Sequence, residues 1–237
     1  MRLNKYIASC GASSRRGADT LISAGRVSVN GLPVQVLGTD IDTEKDTVSI
    51  DGVPIWPEQE KMYIMLNKPK SVLSACSDDR GRKTVISLFG DTGARLYPVG
   101  RLDYDTEGLL LLTNDGDFAY RCTHPKHELK KTYLVSVRGK LDAQAIEKLQ
   151  KGVVIDDKKT SPADVRILNH VGDQARVAII IHEGKNRQVK KMFEAVGCRV
   201  EHLKRTAIGA LKLGSLQSGQ WRPLDKQDFE KLGVGKE

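Results

Sequence analysis

Apolar residues recur along the chain with two different periods, and the change from one to the other suggests two parts. Leu3, Tyr6, Ile7 and Cys10 are spaced i, i+3, i+4 and i+7, which predicts a short helix with one apolar face. Gly11 lets the chain turn, Ser13 or Ser14 can cap a second helix, and Ala18, Leu21 and Ile22 form its apolar side before Gly25 ends it. RVSVNG (26–31) alternates as a strand and runs into Asn30-Gly31, a pair that suits a two-residue hairpin turn. Further on, strand-like runs dominate: YIMLN (63–67), RLYPV (95–99), LLLLT (109–113), TYLVSV (132–137), DVRILN (164–169) and ARVAIII (175–181). Helical spacing returns in LDAQAIEKLQKG, with Asp142 as N-cap and Gly152 as stop. It returns again in NRQVKKMFEAVG, where Val189, Met192, Phe193 and Val196 share a face ending at Gly197. Short links between many strands favour antiparallel or mixed pairing over regular βαβ units. The expected class is α+β: a small N-terminal domain of helices and a hairpin, then a larger domain whose mixed, mainly antiparallel sheet is flanked by helices.

Charge sharpens the division. Residues 1–31 hold five cations against Asp19 alone, whereas residues 40–60 hold seven acids against Lys45. With the polar PEQEK at 57–61, this places the domains at 1–60 and 61–237. Over all 237 residues Lys and Arg outnumber Asp and Glu by 38 to 30, a surplus that favours a polyanionic partner such as nucleic acid. Hydrophobic content of 39% with 29% charged residues describes a globular chain rather than a disordered one. No apolar run is long enough to span a bilayer, and the N-terminus lacks the apolar core of a signal peptide. Cys10, Cys76, Cys122 and Cys198 are scattered singly, which fits neither a zinc site nor a disulfide framework; reduced thiols and a cytoplasmic location are expected. His124 and His127 lack further ligands at metal-binding spacing.

The stretch that carries chemistry is GRLDYDTEGLLLLTNDG (100–116). Asp103, Asp105, Glu107 and Gly108 match the opening of a calcium loop, but Asn114 stands where its closing Glu belongs and leucines fill the positions between. A magnesium nuclease built on the same acids remains open, although alternate residues of an extended chain share a face only if no turn intervenes. LLLLT reads as a core strand and NDG as turn chemistry. Asp103, preceded by Arg101 and placed where a loop enters a buried strand, suits a carboxylate held rigidly beside a cation.

Two resemblances add to this. RLNKYIASCGASSRRGADTLISAGRVSVNG is similar to the small RNA-binding module first described in the fourth protein of the small ribosomal subunit, which implies RNA contacts from Arg2, Lys5, Arg15, Arg16 and Arg26. Arg15 and Arg16 stand in the first helical turn, where cations oppose the helix dipole and a phosphate backbone would favour them. The longer string GRLDYDTEGLLLLTNDG resembles the catalytic motif of pseudouridine synthases of the small-subunit/large-subunit rRNA branch. YIMLNKPK before it, and HPKHELKKTYLVSVRG, EGKNRQVKKMFEAVG and LKRTAIGALKLGSL after it, occur in the family's order. NKPKS departs from the pattern at Ser71, where Gly is commoner, which puts the local loop geometry in question.

The family resemblance implies that Asp103 is the catalytic aspartate, that Tyr133 stacks on the target base, and that Arg187 is the cation that keeps Asp103 ionised. Arg101 matches the position that fills the gap left by a flipped-out base. Lys68 completes the expected RNA contacts together with Lys131, Lys185, Lys190, Lys191 and Arg205, the last five set in runs 121–140 and 184–212 whose cations far outnumber their acids. The expected activity is isomerisation of uridine to pseudouridine in ribosomal RNA, with the large subunit favoured. That reaction changes no oxidation state, so no cofactor and no metal are expected. The expected partner is ribosomal RNA or a ribosome-assembly intermediate, with no membrane, no obligate protein partner and a monomeric chain. The rival reading is a non-catalytic RNA-binding assembly factor in which Asp103 is structural.

Overall fold

The computed structural model describes residues 1–58, 60–90 and 92–234; Gln59 of the PEQEK stretch, Asp91, and residues 235–237 at the end of the second expected domain lie outside the described residues. The chain divides into two compact units, Met1–Met62 with Asp91–Leu96 and Asn114–Gly116, and Tyr63–Gly90 with Tyr97–Thr113 and Asp117–Glu237.

The first unit holds α1 (Leu3–Ser9), α2 (Arg15–Ser23), β1 (Val27–Val29), β2 (Leu32–Pro33), β3 (Val48–Ile50) and β4 (Val53–Pro54), with sheet order β2-β1-β3-β4. Ser14 is the residue that caps α2, its Oγ accepting from the Gly17 amide at 3.0 Å. Asn30 and Gly31 both take positive φ, 52° and 80°, so the turn matches the twist of the strands it joins. Leu3, Tyr6, Ile7, Ala18, Ile22, Val27, Ile41 and Val48 form the core, with Cys10 and Leu21 packed at its edge. The NDG stretch contributes more than a turn. The Asn114 side chain accepts from the Met62 amide at 2.8 Å and donates to the Glu60 carbonyl at 2.9 Å, which fastens it to the first unit.

The second unit is built on β5 (Tyr63–Lys68), β6 (Tyr97–Val99), β7 (Glu107–Thr113), α3 (Gly116–Thr123), β8 (Lys131–Arg138), α4 (Ala143–Lys151), β9 (Val154–Ile155), β10 (Lys158–Lys159), β11 (Asp164–Val171), β12 (Gln174–Ile181), α5 (Gln188–Glu194), β13 (Arg199–Ile208), β14 (Leu211–Lys212), β15 (Trp221–Pro223) and α6 (Lys226–Leu232). Its main sheet runs β11-β12-β8-β13-β7-β5-β15, with β6 on β7 and β14 on β13; the β13–β7 contact is parallel and the other pairs are antiparallel. This is the mixed, mainly antiparallel α+β architecture that the strand pattern predicts.

The four leucines run continuously because β7 lies inside the sheet with both faces covered, and Leu109–Leu112 are wholly buried. Leu109 and Leu111 pack with Met65, Phe118 and Phe229, and Tyr63 meets both phenylalanine rings edge-on at 5.0 and 4.9 Å. Each leucine so buried stabilises the fold by about 1.5–3 kcal/mol, which makes β7 a rigid base for the loop that precedes it. Asp142 caps α4, and Gly152 ends it at φ 86°. No helix among the described residues is long and apolar enough to cross a membrane.

Candidate active site

Asp103 sits in a loop fastened from both sides. Behind it, Gly108 of β7 pairs in parallel with Arg205 of β13 at a separation that admits no side chain: a Cβ there would lie 2.7 Å from the Arg205 nitrogen and closer still to its oxygen. Beneath it, Lys68 at the end of β5 is fully buried, and its ammonium donates to the carbonyls of Pro69 at 3.0 Å, Asp103 at 3.1 Å and Thr106 at 2.8 Å. From the side, the Ser71 amide donates to the Tyr104 carbonyl at 2.8 Å, and the Ser74 hydroxyl donates to the Leu102 carbonyl at 2.8 Å. The departure at Ser71 is therefore accommodated: the serine adopts the left-handed φ of 60° that explains the commoner glycine, and the loop contact is made regardless.

Lys68 was expected among the RNA contacts, and its placement corrects that expectation. The last residue of a strand buried on both faces points its cation into the protein, where carbonyl oxygens replace solvent. Burial pushes its pKa down to about 8 from 10.5 against the opposing pull of the nearby carboxylates. Between about pH 8 and pH 10.5 the unfolded chain therefore binds more protons at this residue than the folded one. Its contribution to stability rises with pH across that window and is absent below it. The urea midpoint of the native protein is expected to climb relative to Lys68→Met as pH is raised through this range; parallel curves would refute the assignment.

A cleft of about 360 Å³ opens in front of the loop. Arg101, Asp103 and Thr106 line it from the loop, Lys131 and Tyr133 from β8, Lys185 and Arg187 from the segment before α5, and Leu203 and Arg205 from β13. Tyr133 and Arg205 are directly opposite on paired strands, so their side chains leave the sheet on the same face. The structure thus brings Asp103, Tyr133 and Arg187 to one cavity.

The pairing of charges differs from the expectation. Among the described residues the cation within ion-pair range of Asp103 is Lys190, at 3.7 Å, and Lys190 also bonds Asp105. Arg187 makes no ion pair with Asp103. The reason lies in the start of α5: Arg187 is its N-cap, exposed and held at φ 51°, whereas Lys190 lies among Val189, Met192 and Phe193 on the buried side. A lysine three residues before a core phenylalanine is the signal that would have marked it. Burial works to raise the Asp105 carboxyl, but the hydrogen bond and charge of Lys190 outweigh it and hold that carboxyl below its usual range. Asp103 and Asp105 thus share a lysine, and no group of three or more His, Cys, Asp or Glu among the described residues is arranged to hold a metal ion.

The remaining expected RNA contacts divide by environment. Arg15 and Arg16 are exposed in the first turn of α2, and Arg101 and Arg187 are exposed at the cleft. Lys5, Lys131 and Lys185 are half-buried. Arg2, Arg26 and Lys191 are engaged with acids, Arg2 with Asp40 at 3.0 Å, Arg26 with Asp51 at 2.5 Å and Lys191 with Asp156 at 2.5 Å. Lys190 and Arg205 are buried.

The model for RNA pseudouridylate synthase matches residues 62–195, the segment that supplies Asp103, Tyr133, Arg187 and Lys190, and the model for the S4 domain matches residues 1–48. The chain belongs to the RNA pseudouridylate synthase family. The ribosomal large subunit pseudouridine synthase B of Bacillus subtilis (strain 168) is 44% identical to this synthase over 234 residues, covering 98% of the chain and 95% of the relative. An uncharacterized RNA pseudouridine synthase of Aquifex aeolicus (strain VF5) is 43% identical over 233 residues, with 98% and 93% covered. A crystal structure of a pseudouridylate synthase superposes on this synthase with a TM-score of 0.71 at 36% identity, covering 98% of this chain and 99% of that one.

Proposed function

We propose that this synthase converts a specific uridine of large-subunit ribosomal RNA to pseudouridine, with Asp103 acting on a nucleotide turned out of its helix. The observation that carries this reading is the convergence of Asp103 and Tyr133 on one cleft, with a buried lysine, Lys190, within ion-pair range of Asp103 from behind its lining. Its loop is tied down by Lys68, so the carboxylate is held in place before substrate arrives.

Isomerisation needs a carboxylate at the sugar–base junction, a wall that retains the loose uracil, and exclusion of bulk water. Asp103 fills the first role and the ring of Tyr133, 8% exposed, the second. A uridine inside folded RNA is out of reach of a cleft of this size, so it must leave its stack to enter. Exposed Arg101 and Arg187 are placed to meet the backbone and the vacated position, and the S4 domain adds a second basic surface through Arg15 and Arg16. The name of the Bacillus subtilis relative favours the large subunit as target.

Lys190, 3.7 Å from the Asp103 carboxylate, takes the charge-pairing role expected of Arg187. Lys190→Gln is expected to slow product formation on the order of 10–100-fold, with RNA affinity changed less than threefold and with partial rescue by Lys190→Arg. Equal rates for the Gln and Arg variants would remove the electrostatic role. The target is tested by mapping pseudouridine in ribosomal RNA from cells with and without the gene. One large-subunit position should lose its modification; a change confined to the small subunit would overturn that part of the reading.

A further inference from the structure

Arg205 and Thr106 are the two polar residues of the cleft whose environment the proposed roles above leave unexplained. Arg205 is 4% exposed and Thr106 1%. The Arg205 Nε–H donates to the Leu109 carbonyl at 2.7 Å, which fixes the guanidinium plane, but its terminal nitrogens have no partner among the described residues, and Nη2 is closed off from solvent. The Thr106 hydroxyl oxygen is likewise buried and without a partner. Buried polar groups are nearly always hydrogen-bonded, and Arg205 lines the cavity with Nη1 unpartnered yet not closed off as Nη2 is, so Nη1 is the donor that a ligand in the cleft can meet.

The ligand must bring oxygen. A guanidinium only donates, so the atom it meets must be an acceptor. Depth then separates the two oxygen sources an RNA offers. Phosphates are fully charged and hydrated, and the exposed Arg101 and Arg187 suit them. Arg205 lies deep in the cleft, directly across from Tyr133 on the same face of the sheet, where the flat base stacks.

We propose that Arg205 donates to a carbonyl oxygen of the target uracil, with Thr106 beside it, and holds the base while it is detached from the sugar. This rests on the reading that pseudouridine forms in this cleft. In the net reaction the C1′–N1 bond breaks, its electron pair goes to the uracil, and that charge spreads onto the ring oxygens. C5 then bonds to C1′, the C5 hydrogen leaves as a proton, and N1 takes one up. Arg205 contributes no atom. It meets the oxygen charge as it develops and keeps the free base from leaving before the second bond forms. The arrangement exists before substrate binds, because Gly108 leaves room for β13 to approach and the Leu109 carbonyl orients the side chain.

The test uses the full chain and a transcript carrying the mapped uridine, under single turnover with enzyme in excess. Arg205→Met is expected to slow pseudouridine formation at least 100-fold while the dissociation constant for the transcript changes less than threefold, and Arg205→Lys should fall between. A tenfold loss of affinity with an unchanged rate at saturation would instead make Arg205 a phosphate contact and overturn the proposal, as would a rate within threefold of wild type. Should Arg205→Met fail to fold, the wild-type enzyme decides alone. Replacing the target uridine with 2-thiouridine or 4-thiouridine, whose sulfur is a poor acceptor, should cost at least tenfold in rate for one of the two. No loss with either would also overturn it. If wild type forms no pseudouridine on any transcript, the proposed function itself falls, an outcome distinct from an active wild type beside an equally active Arg205→Met.

Discussion

Asp103→Asn is expected to lower pseudouridine formation by at least about 10³-fold while RNA binding stays within threefold of wild type. The amide has the same shape as the carboxylate but carries no charge and no basic lone pair, so the chemistry proposed for Asp103 at the sugar–base junction should stop. The fold has no reason to suffer. The hydrogen bonds from this segment to Lys68 and to the Thr106 amide use the Asp103 backbone carbonyl, which the substitution leaves in place. The side chain is a third exposed, and Lys190 retains Asp105 as its nearer partner. Product is read by mapping pseudouridine, and affinity by filter binding. Loss of both together would make Asp103 a structural residue and restore the assembly-factor reading; loss of neither would end the catalytic one.

Gly108→Ala is expected to be the most damaging single methyl group in the second unit. Gly108 sits at φ 110°, a conformation that L side chains rarely adopt, and the added carbon would fall on the Arg205 backbone, which belongs to the facing strand and cannot swing aside. To relieve the overlap, β7 and β13 must part at the point where they pair in parallel through Glu107 with Lys204 and Gly108 with Arg205. The bond from Arg205 Nε to the Leu109 carbonyl would go with it. Backbone strain and broken strand pairing together cost about 4 kcal/mol. At roughly 2–4 °C per kcal/mol for a chain of this size, the thermal midpoint should fall by about 10 °C. Gly214→Ala is the control: its φ is also positive, 62°, but an added Cβ meets nothing within 4 Å, so it carries strain without collision. Scanning calorimetry of the two should separate them clearly, and equal midpoints would show that the strand approach is looser than described.

Much of the fold was legible along the chain, and the parts that were not share a cause. α4 follows from its pattern, capped by Asp142 and stopped by Gly152, because local geometry alone specifies both ends. β13 is not marked by its own pattern, although it is the strand that joins the two halves of the sheet. Its pairing with β8 shifts register between Val200 and His202 and again between Arg205 and Ala207, so the alternation that betrays a strand is broken twice. α3 was hidden because NDG is turn chemistry, and the helix begins within that same stretch, at Gly116. α6 announces itself through the Asp225–Asp228 capping box, a signal present in the sequence but easily passed over in a polar tail.

The sequence by itself determined the order and type of most elements, and through its resemblance to a family motif it singled out Asp103 and Tyr133 as candidates, since motif and periodicity are written in neighbouring positions. Only the tertiary structure decided which cation belongs to which acid. Lys68, Lys190 and Arg205 look alike on paper as members of basic runs, yet one clamps the loop, one is shared by two carboxylates, and one stands with donors unclaimed at the base of the cleft. Charge is a property of a residue, whereas desolvation and partnership belong to the place where the fold buries it, and that place is set by strands distant in the chain.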